Sequence, residues 1–336
     1  MTGKHILIIP DAHAHPDYSN ERFSVLGDYI NRHRPDIVVS IGDWADMASI
    51  CVHSSKLSLE GKRYKPDIAS AVEAQHLMFG QITDPSEMQW EMTLGNHDAR
   101  IDMIAAQTPA LEGVVSMSDL EFETFGWNVH PFKKNVNLEG WNFQHYFPTG
   151  MSGRPISGLT AAKALVTKNH ESSVQGHSHL VGWHTESTAS GKRIHGVCVG
   201  CYSSVEQIED WNQNTEFAWW RGVVHIRGAK DGDGGVQFVP AELMEDNPVE
   251  HDSGRKFVDY SALISNDIPD VSRTGKVLDA VQKGEPSPVR GGRLSDADVR
   301  YIRKSTETTV ALGERFEMNP STISKIRKLK RYAHVV

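Results

Sequence analysis

The chain has three cysteines in 336 residues and no apolar run longer than a single strand. Three cysteines cannot build a disulfide framework. The apolar stretch "ILII" near the start is far too short for a membrane span or a secretory core, and no later run exceeds it. These absences predict a soluble, intracellular, cytoplasmic protein with no membrane partner. No internal repeat is found. Hydrophobic residues make up 39% of the chain, enough for a packed core. Cys198 and Cys201 form a lone C-x-x-C, which reads as two small residues on a buried strand rather than as a redox or zinc pair.

What the chain does have is histidine, seventeen in all, and an uneven charge. The formal net charge is −8, yet residues 290–336 hold eleven lysines or arginines against five acids. A basic tail on an acidic body predicts separate partners for the two parts.

The periodicity alternates. "KHILIIPDAH" reads as a buried strand entering a polar loop, "SNERFSVLGDYINRHRP" as a helix stopped by proline, and "DIVVSIGDWAD" as a second strand. Strand, helix, strand favours a parallel sheet. A helix around 67–82 and a third strand in "EMQWEMTLGNHD" follow. Beyond about residue 121, short strand-like segments alternate with turns, interrupted by one helix in "SGLTAAKALVTKNH". Residues 228–292 are rich in Gly, Asp, Pro and Ser and read as turns and a flexible linker. The body is thus expected to be α/β with two sheets.

Four of the strands end alike, in a sharp turn made of metal-ligand residue types: "IIPDAH", "SIGDWAD", "TLGNHD" and "VQGHSH". Side chains at the carboxyl ends of strands converge at one sheet edge, where α/β folds place their sites. Carboxylate, imidazole and amide oxygen together suit borderline divalent metals. A fifth piece is a lone histidine with three candidates: His130, His170 and His145. Of these, His145 ends the alternating strand "WNFQH" and so stands at a strand tip like the others.

In this order the set resembles the calcineurin-like metallophosphoesterase family, whose pattern is D-x-H, G-D-x-x-D, G-N-H-D/E, a lone His, then G-H-x-H. The resemblance covers roughly residues 4–227. It implies a two-sheet αββα sandwich flanked by helices and a centre of two divalent metals, with manganese first and iron, zinc or nickel as alternatives. It also implies that Asp11, His13 and His179 hold one metal, that Asp43 bridges, and that Asn96, His145 and His177 hold the second. His97 would face the substrate, with Asp98 either fixing its tautomer or capping the turn. Asp46 would support a ligand or serve as a helix-start acid. Tyr146 stands where relatives often have Gly, and Met47 where they often have Arg, so that a phosphate contact would come from elsewhere, with Arg100 as a candidate. His15 has no slot in the ligand set and reads as solvent-facing or packed on Pro16.

The tail from Leu294 reads as three helical pieces, 296–304, 308–316 and 320–328, with Asn319-Pro320 as an N-cap and first-turn proline. Leu312, Phe316, Met318, Ile323 and Ile326 can close a small core. This resembles a helix-turn-helix of the Hin-recombinase or homeodomain-like kind, with Glu317 where Gly is usual, and the closing "KLKRYAHV" resembles phage proteins. For a phage-encoded protein the compartment would be the bacterial host cytoplasm. DNA is then the expected partner, with Ser321, Thr322 and Lys325 toward base edges and Arg327, Lys328, Lys330 and Arg331 toward phosphates.

The resulting expectation is a catalytic body at 1–228, a turn-rich extension and linker at 229–292, and a DNA-binding domain at 293–336. The expected activity is metal-dependent phosphoester hydrolysis, on DNA or nucleotides as a nuclease or end phosphatase. The alternatives are a protein or small-molecule phosphatase or phosphodiesterase of the same family, and a non-enzymatic DNA-binding regulator with a structural metal body.

Overall fold

The computed structural model describes residues 3–51, 57–111, 113–207 and 218–244, and, further on, Val299, 301–303, Ser305, Ala311, Leu312, Phe316, Ile323, Ile326 and Arg327. The chain divides into two compact units between Val258 and Asp259, ahead of the boundary at 292 read from composition.

The first unit is a mixed α/β fold. It begins with strand β1 (Lys4–Ile9), helix α1 (Glu21–His33), strand β2 (Ile37–Ser40), helix α2 (Tyr64–Phe79), strand β3 (Gln89–Thr93), helix α3 (Arg100–Gln107) and strand β4 (Asn128–His130). Next come β5 (Val136–Leu138), β6 (Trp141–Phe143), the two-residue pair β7 (Pro148–Thr149) and β8 (Arg154–Pro155), α4 (Ala161–Asn169) and β9 (Ser173–Gln175). Strands β10 (Val181–Ser187), β11 (Arg193–Val199), β12 (Gly222–Lys230) and β13 (Asp233–Pro240) complete it.

One sheet has the order β13-β12-β1-β2-β3-β4, the other β10-β11-β9-β6-β5. Strands β1 to β4 run parallel, as the strand–helix–strand pattern predicts, while β12 pairs antiparallel with β1 and β13 antiparallel with β12. In the second sheet β9 is parallel to both β6 and β11.

Alternation along the strands separates the layers. Ile6 and Ile8 of β1 and Val39 of β2 share an apolar cluster with Trp141, Phe143, Val174 and Val197 of the second sheet. Leu7, Ile9 and Val38 point the other way, into a cluster with Phe23, Leu26 and Ile30 of α1 and Ala71, Ala74 and Met78 of α2. Ala162 and Leu165 of α4 cover Cys198 on the far face of the second sheet. Each large apolar side chain so buried contributes about 1.5–3 kcal/mol. Helices α1 and α2 touch backbone to backbone at Gly27, where a Cβ would lie 2.0 Å from the carbonyl oxygen of Met78. Among the described residues no helix is long and apolar enough to cross a membrane.

The sheet runs on past residue 228. The glycine- and aspartate-rich "GAKDGDGG" is a hairpin tip, with Asp231 and Gly232 in left-handed conformation, and β13 pairs with β12 along Gly222–Arg227. Read as linker, this stretch in fact turns the chain back into the body, because Val236 and Phe238 pack on the inter-sheet cluster.

Of the second unit, Val299, Ile302, Leu312, Phe316, Ile323 and Ile326 form a buried cluster with Tyr301 against it. Four of these are residues expected to close a small core; Met318 lies outside the described residues, as do Ser321, Thr322, Lys325, Lys328, Lys330 and Arg331. Arg327 donates from Nε to the carbonyl of Ile302 and from Nη2 to that of Ser305, and Arg303 donates to the carbonyl of Ile326. The Arg327 guanidinium thus ties segments of this unit together, where a phosphate contact was expected.

Candidate metal centre

Strands β1, β2, β3, β6 and β9 point their carboxyl ends the same way, and each runs into one of the histidine- or acid-bearing turns. The turns are held in unusual backbone conformations. His13, Asp43, His177 and His179 all have positive φ, at 46°, 49°, 66° and 56°. For residues with a Cβ such angles are costly and persist where the surroundings over-determine them, typically at functional sites. Two glycines make room for the acids. A Cβ on Gly95 would lie 2.0 Å from Asp43 Oδ1, and one on Gly176 would lie 2.0 Å from Asp11 Oδ1.

Backbone donors orient the carboxylates. The amide of His97 donates to Asp43 Oδ1 at 2.7 Å, and the amide of His177 donates to Asp11 Oδ2 at 2.7 Å. Each acid keeps an oxygen toward the histidines: Asp43 Oδ2 is 3.2 Å from His145 Nε2, and Asp11 Oδ2 is 3.3 Å from His179 Nε2.

His145 shows most clearly what the centre is suited to hold. Its Nδ1–H donates to the carbonyl of Ile41 at 3.0 Å, which leaves Nε2 as the lone-pair nitrogen of the neutral ring. That Nε2 faces Asn96 Oδ1 at 3.0 Å, His177 Nδ1 at 3.2 Å and Asp43 Oδ2 at 3.2 Å. Four groups able to offer a lone pair thus converge, and a proton on any one of them cannot satisfy the other three at once. His13 Nε2 and His179 Nε2 meet in the same way at 3.1 Å. Asp11 Oδ1 and His179 Nδ1 are buried without a hydrogen-bond partner. A divalent cation satisfies such a constellation; neutral hydrogen bonding does not. Two groups of ligand atoms, each within 4.8 Å of one another, are Asp11–His13–His179 and Asp43–His145–His177. These buried His/Asp groups can hold metal ions.

The charges respond to one another. Burial works against ionising Asp11 and Asp43, yet His145 and its neighbours hold both carboxyls below the usual range, Asp43 well below. Burial likewise opposes a charge on His145, but Asp43 and Asp11 push it up to about 9. His177 is pushed down to about 4 by burial and by the neighbouring His145. The centre therefore recruits a proton onto His145 when no other cation neutralises the acids.

The flanking residues sort differently from expectation. Asp98 does not reach His97; its Oδ2 accepts from the Gly95 amide at 2.9 Å and its Oδ1 from the Ala45 amide at 3.2 Å. The chain turns at Asn96 into α3, so the Asp98 side chain folds back to cap its own turn. Burial and the nearby Asp43 push its carboxyl up to about 6. The carboxylate on His97 is instead Asp46. His97 Nδ1 lies 2.8 Å from the Asp46 carbonyl and 3.2 Å from its Oδ1, so it is the donor there. Asp46 Oδ1 also accepts from His13 Nδ1 at 2.9 Å. His13, Asp46 and His97 form a third close group, but these direct hydrogen bonds account for it.

Arg100 lies beside His97, with Nη2 3.0 Å from His97 Nε2 and Nη1 on the carbonyls of Asp46 and Met47. His15 is buried, not solvent-facing; its Nδ1 accepts from the Asp17 amide and its Nε2 is 3.8 Å from Asp46 Oδ2. His130 on β4 pairs with Glu91 on β3, and His170 is the left-handed C-cap of α4, so neither joins the centre.

One supporting residue had no signal in the sequence. Arg22 of α1 donates to the carbonyls of Ala12, His13, Ser19 and Tyr202, and so braces the loop that carries His13. No family model matches the chain, and no curated protein matches it.

Proposed function

We propose that the chain is a divalent-metal-dependent phosphoester hydrolase of the calcineurin-like metallophosphoesterase kind, its two sheets forming that family's sandwich. The observation that carries this reading is the convergence of His145 Nε2, Asn96 Oδ1, His177 Nδ1 and Asp43 Oδ2, next to Asp11, His13 and His179. In this reading Asp11, His13 and His179 hold one ion and Asn96, His145 and His177 a second. Asp43, whose Oδ2 faces both His13 and His145, would offset the repulsion between ions held there. Manganese suits this mixed oxygen and nitrogen set, with iron, zinc or nickel as alternatives. Ions held there would polarise the phosphoryl oxygens and lower the pKa of water at neutral pH.

The chain's own groups handle the remaining charge and protons. Asp46 keeps the Nδ1–H of His97 engaged, so Nε2 is the nitrogen that exchanges a proton with the leaving oxygen. The Arg100 guanidinium beside it supplies positive charge for a phosphoryl oxygen, in the role that Met47 cannot fill. Asp98 contributes by holding the Gly95 turn. The basic C-terminal segment is read as a helix-turn-helix that brings DNA to the body, which favours DNA or nucleotides as substrate.

The test is to incubate manganese-loaded protein with plasmid, linear single- and double-stranded DNA, a chromogenic monoester and a chromogenic diester. Asp43→Asn and a chain lacking residues 290–336 run alongside. Turnover that needs metal and is lost in Asp43→Asn supports the reading; no turnover of any phosphoester sinks it. Turnover of DNA that survives tail removal unchanged would remove the tethering role.

A further inference from the structure

Two cations stand against aromatic rings that themselves pack on the candidate ligand histidines. On the His145 and His177 side, the Tyr146 ring lies 4.8 Å from the His177 ring and 5.6 Å from Phe132. The Lys133 ammonium sits over both, 5.1 Å from the Phe132 centroid and 5.8 Å from that of Tyr146. On the His179 side, the Trp219 ring lies 4.2 Å from the His179 ring, and the Arg221 guanidinium sits 5.6 Å over Trp219.

Among the described residues no carboxylate pairs with Lys133 or Arg221, and Arg221 Nε is buried without an acceptor. Lys133 is exposed on a turn residue with φ 66°, a conformation a lysine adopts only at a cost. What sets these two apart is position: each stands over a ring that packs on a candidate ligand histidine, Lys133 through Tyr146 on His177 and Arg221 through Trp219 on His179.

Building on the phosphoesterase reading, we infer that Lys133 and Arg221 bind the phosphates on either side of the scissile one, so that the preferred substrate is an internal phosphodiester of a nucleic-acid strand. A monoester ends at the metal cluster and has nothing to offer two separate cations. A phosphopeptide carries one phosphate on a neutral backbone and meets the same objection. A strand has an anion at each step, and its bases find aromatic surface at Phe132 and Trp219, which are partly exposed.

The experiment measures binding, not turnover. Manganese-loaded full-length protein is titrated with a short labelled single-stranded oligonucleotide bearing phosphorothioate linkages, at several salt concentrations, and with inorganic phosphate. Lys133→Glu and Arg221→Gln should each weaken oligonucleotide binding by about tenfold and flatten the salt slope by about 0.7 per lost contact. Lys133→Arg, which keeps the charge, should bind as the unaltered chain does. Inorganic phosphate should bind the variants and the unaltered chain alike. Unchanged oligonucleotide affinity and slope in Lys133→Glu would overturn the inference, as would an equal loss in Lys133→Arg or a parallel loss for inorganic phosphate. Failure of the underlying reading shows separately, as absence of any phosphoester turnover by the unaltered chain.

Discussion

His145 Nε2 lies 3.2 Å from Asp43 Oδ2 while its Nδ1–H is committed to the carbonyl of Ile41. With Nδ1–H committed, Nε2 is the nitrogen that either carries a proton toward Asp43 or, in the neutral ring, offers its lone pair to a cation. Replacing His145 by Ala should remove an ion from the centre rather than unfold the body. Elemental analysis of purified protein would show reduced metal per chain, with the circular dichroism spectrum preserved. Full metal content in His145→Ala would mean the nitrogen is not a ligand.

Asp46 and Asp98 make a matched pair for separating support from capping. Asp46 accepts from both His13 and His97, so Asp46→Asn should weaken metal binding about 10- to 100-fold, the usual range for partners of ligating histidines. Asp98→Asn should leave metal affinity nearly unchanged, since its contacts are the Gly95 and Ala45 amides. Manganese titration of the two variants decides it. Equal effects would show that Asp46 has no special hold on the ligands.

Arg22 braces four carbonyls from a mostly buried position. Arg22→Ala should cost about 3 kcal/mol of stability, consistent with losing charged hydrogen bonds to buried carbonyls. Arg22→Lys should recover part of this, because an ammonium reaches fewer of them at once. Urea unfolding measures both. The same substitutions should lower metal affinity through His13, which a purely structural arginine would not do.

The motif residues were legible in the sequence for a physical reason. Asp11, Asp43, Asn96 and His177 follow apolar strands directly, and parallel strands must deliver their ends to one edge. His145 stood out from His130 and His170 because alternation in "WNFQH" marked a strand tip. Partners that depend on where a turn folds back were not legible. Nothing local says that Asp98 caps Gly95 while Asp46, fifty residues earlier, reaches His97. Arg22 looked like any polar position of a helix. Strand β13 was hidden because its glycines and aspartates form the hairpin tip, and only Val236 and Phe238 show the alternation of a strand.

A second cluster predicts acid sensitivity away from the centre. His225, fully buried, lies with Nδ1 2.7 Å from His5 Nε2 and Nε2 2.8 Å from the Tyr29 hydroxyl, with the His33 ring 5.3 Å away. Arg227 and Arg32 add positive charge around it, and Asp36 lies by His5. Burial first, and then these cations and neighbouring rings, push His225 down to about 3 and His5 to about 4, and push His33 down as well. In the unfolded chain all three return toward 6.5 and bind more protons than the folded chain does. Their contribution is therefore intact above about pH 6.5 and is lost as the pH falls from there toward about 3. The melting temperature should drop over that window, and less steeply in His225→Gln. Parallel curves for the two proteins would place the acid sensitivity elsewhere.

The central claim is that the strand-end cluster is a two-metal centre with a defined ligand set. Anomalous scattering from crystals grown with manganese tests it most directly. The account predicts two peaks, one among Asp11, His13 and His179 and one among Asn96, His145 and His177, with Asp43 between them. No peak at the cluster, or a single peak held by His13, Asp46 and His97, would contradict it.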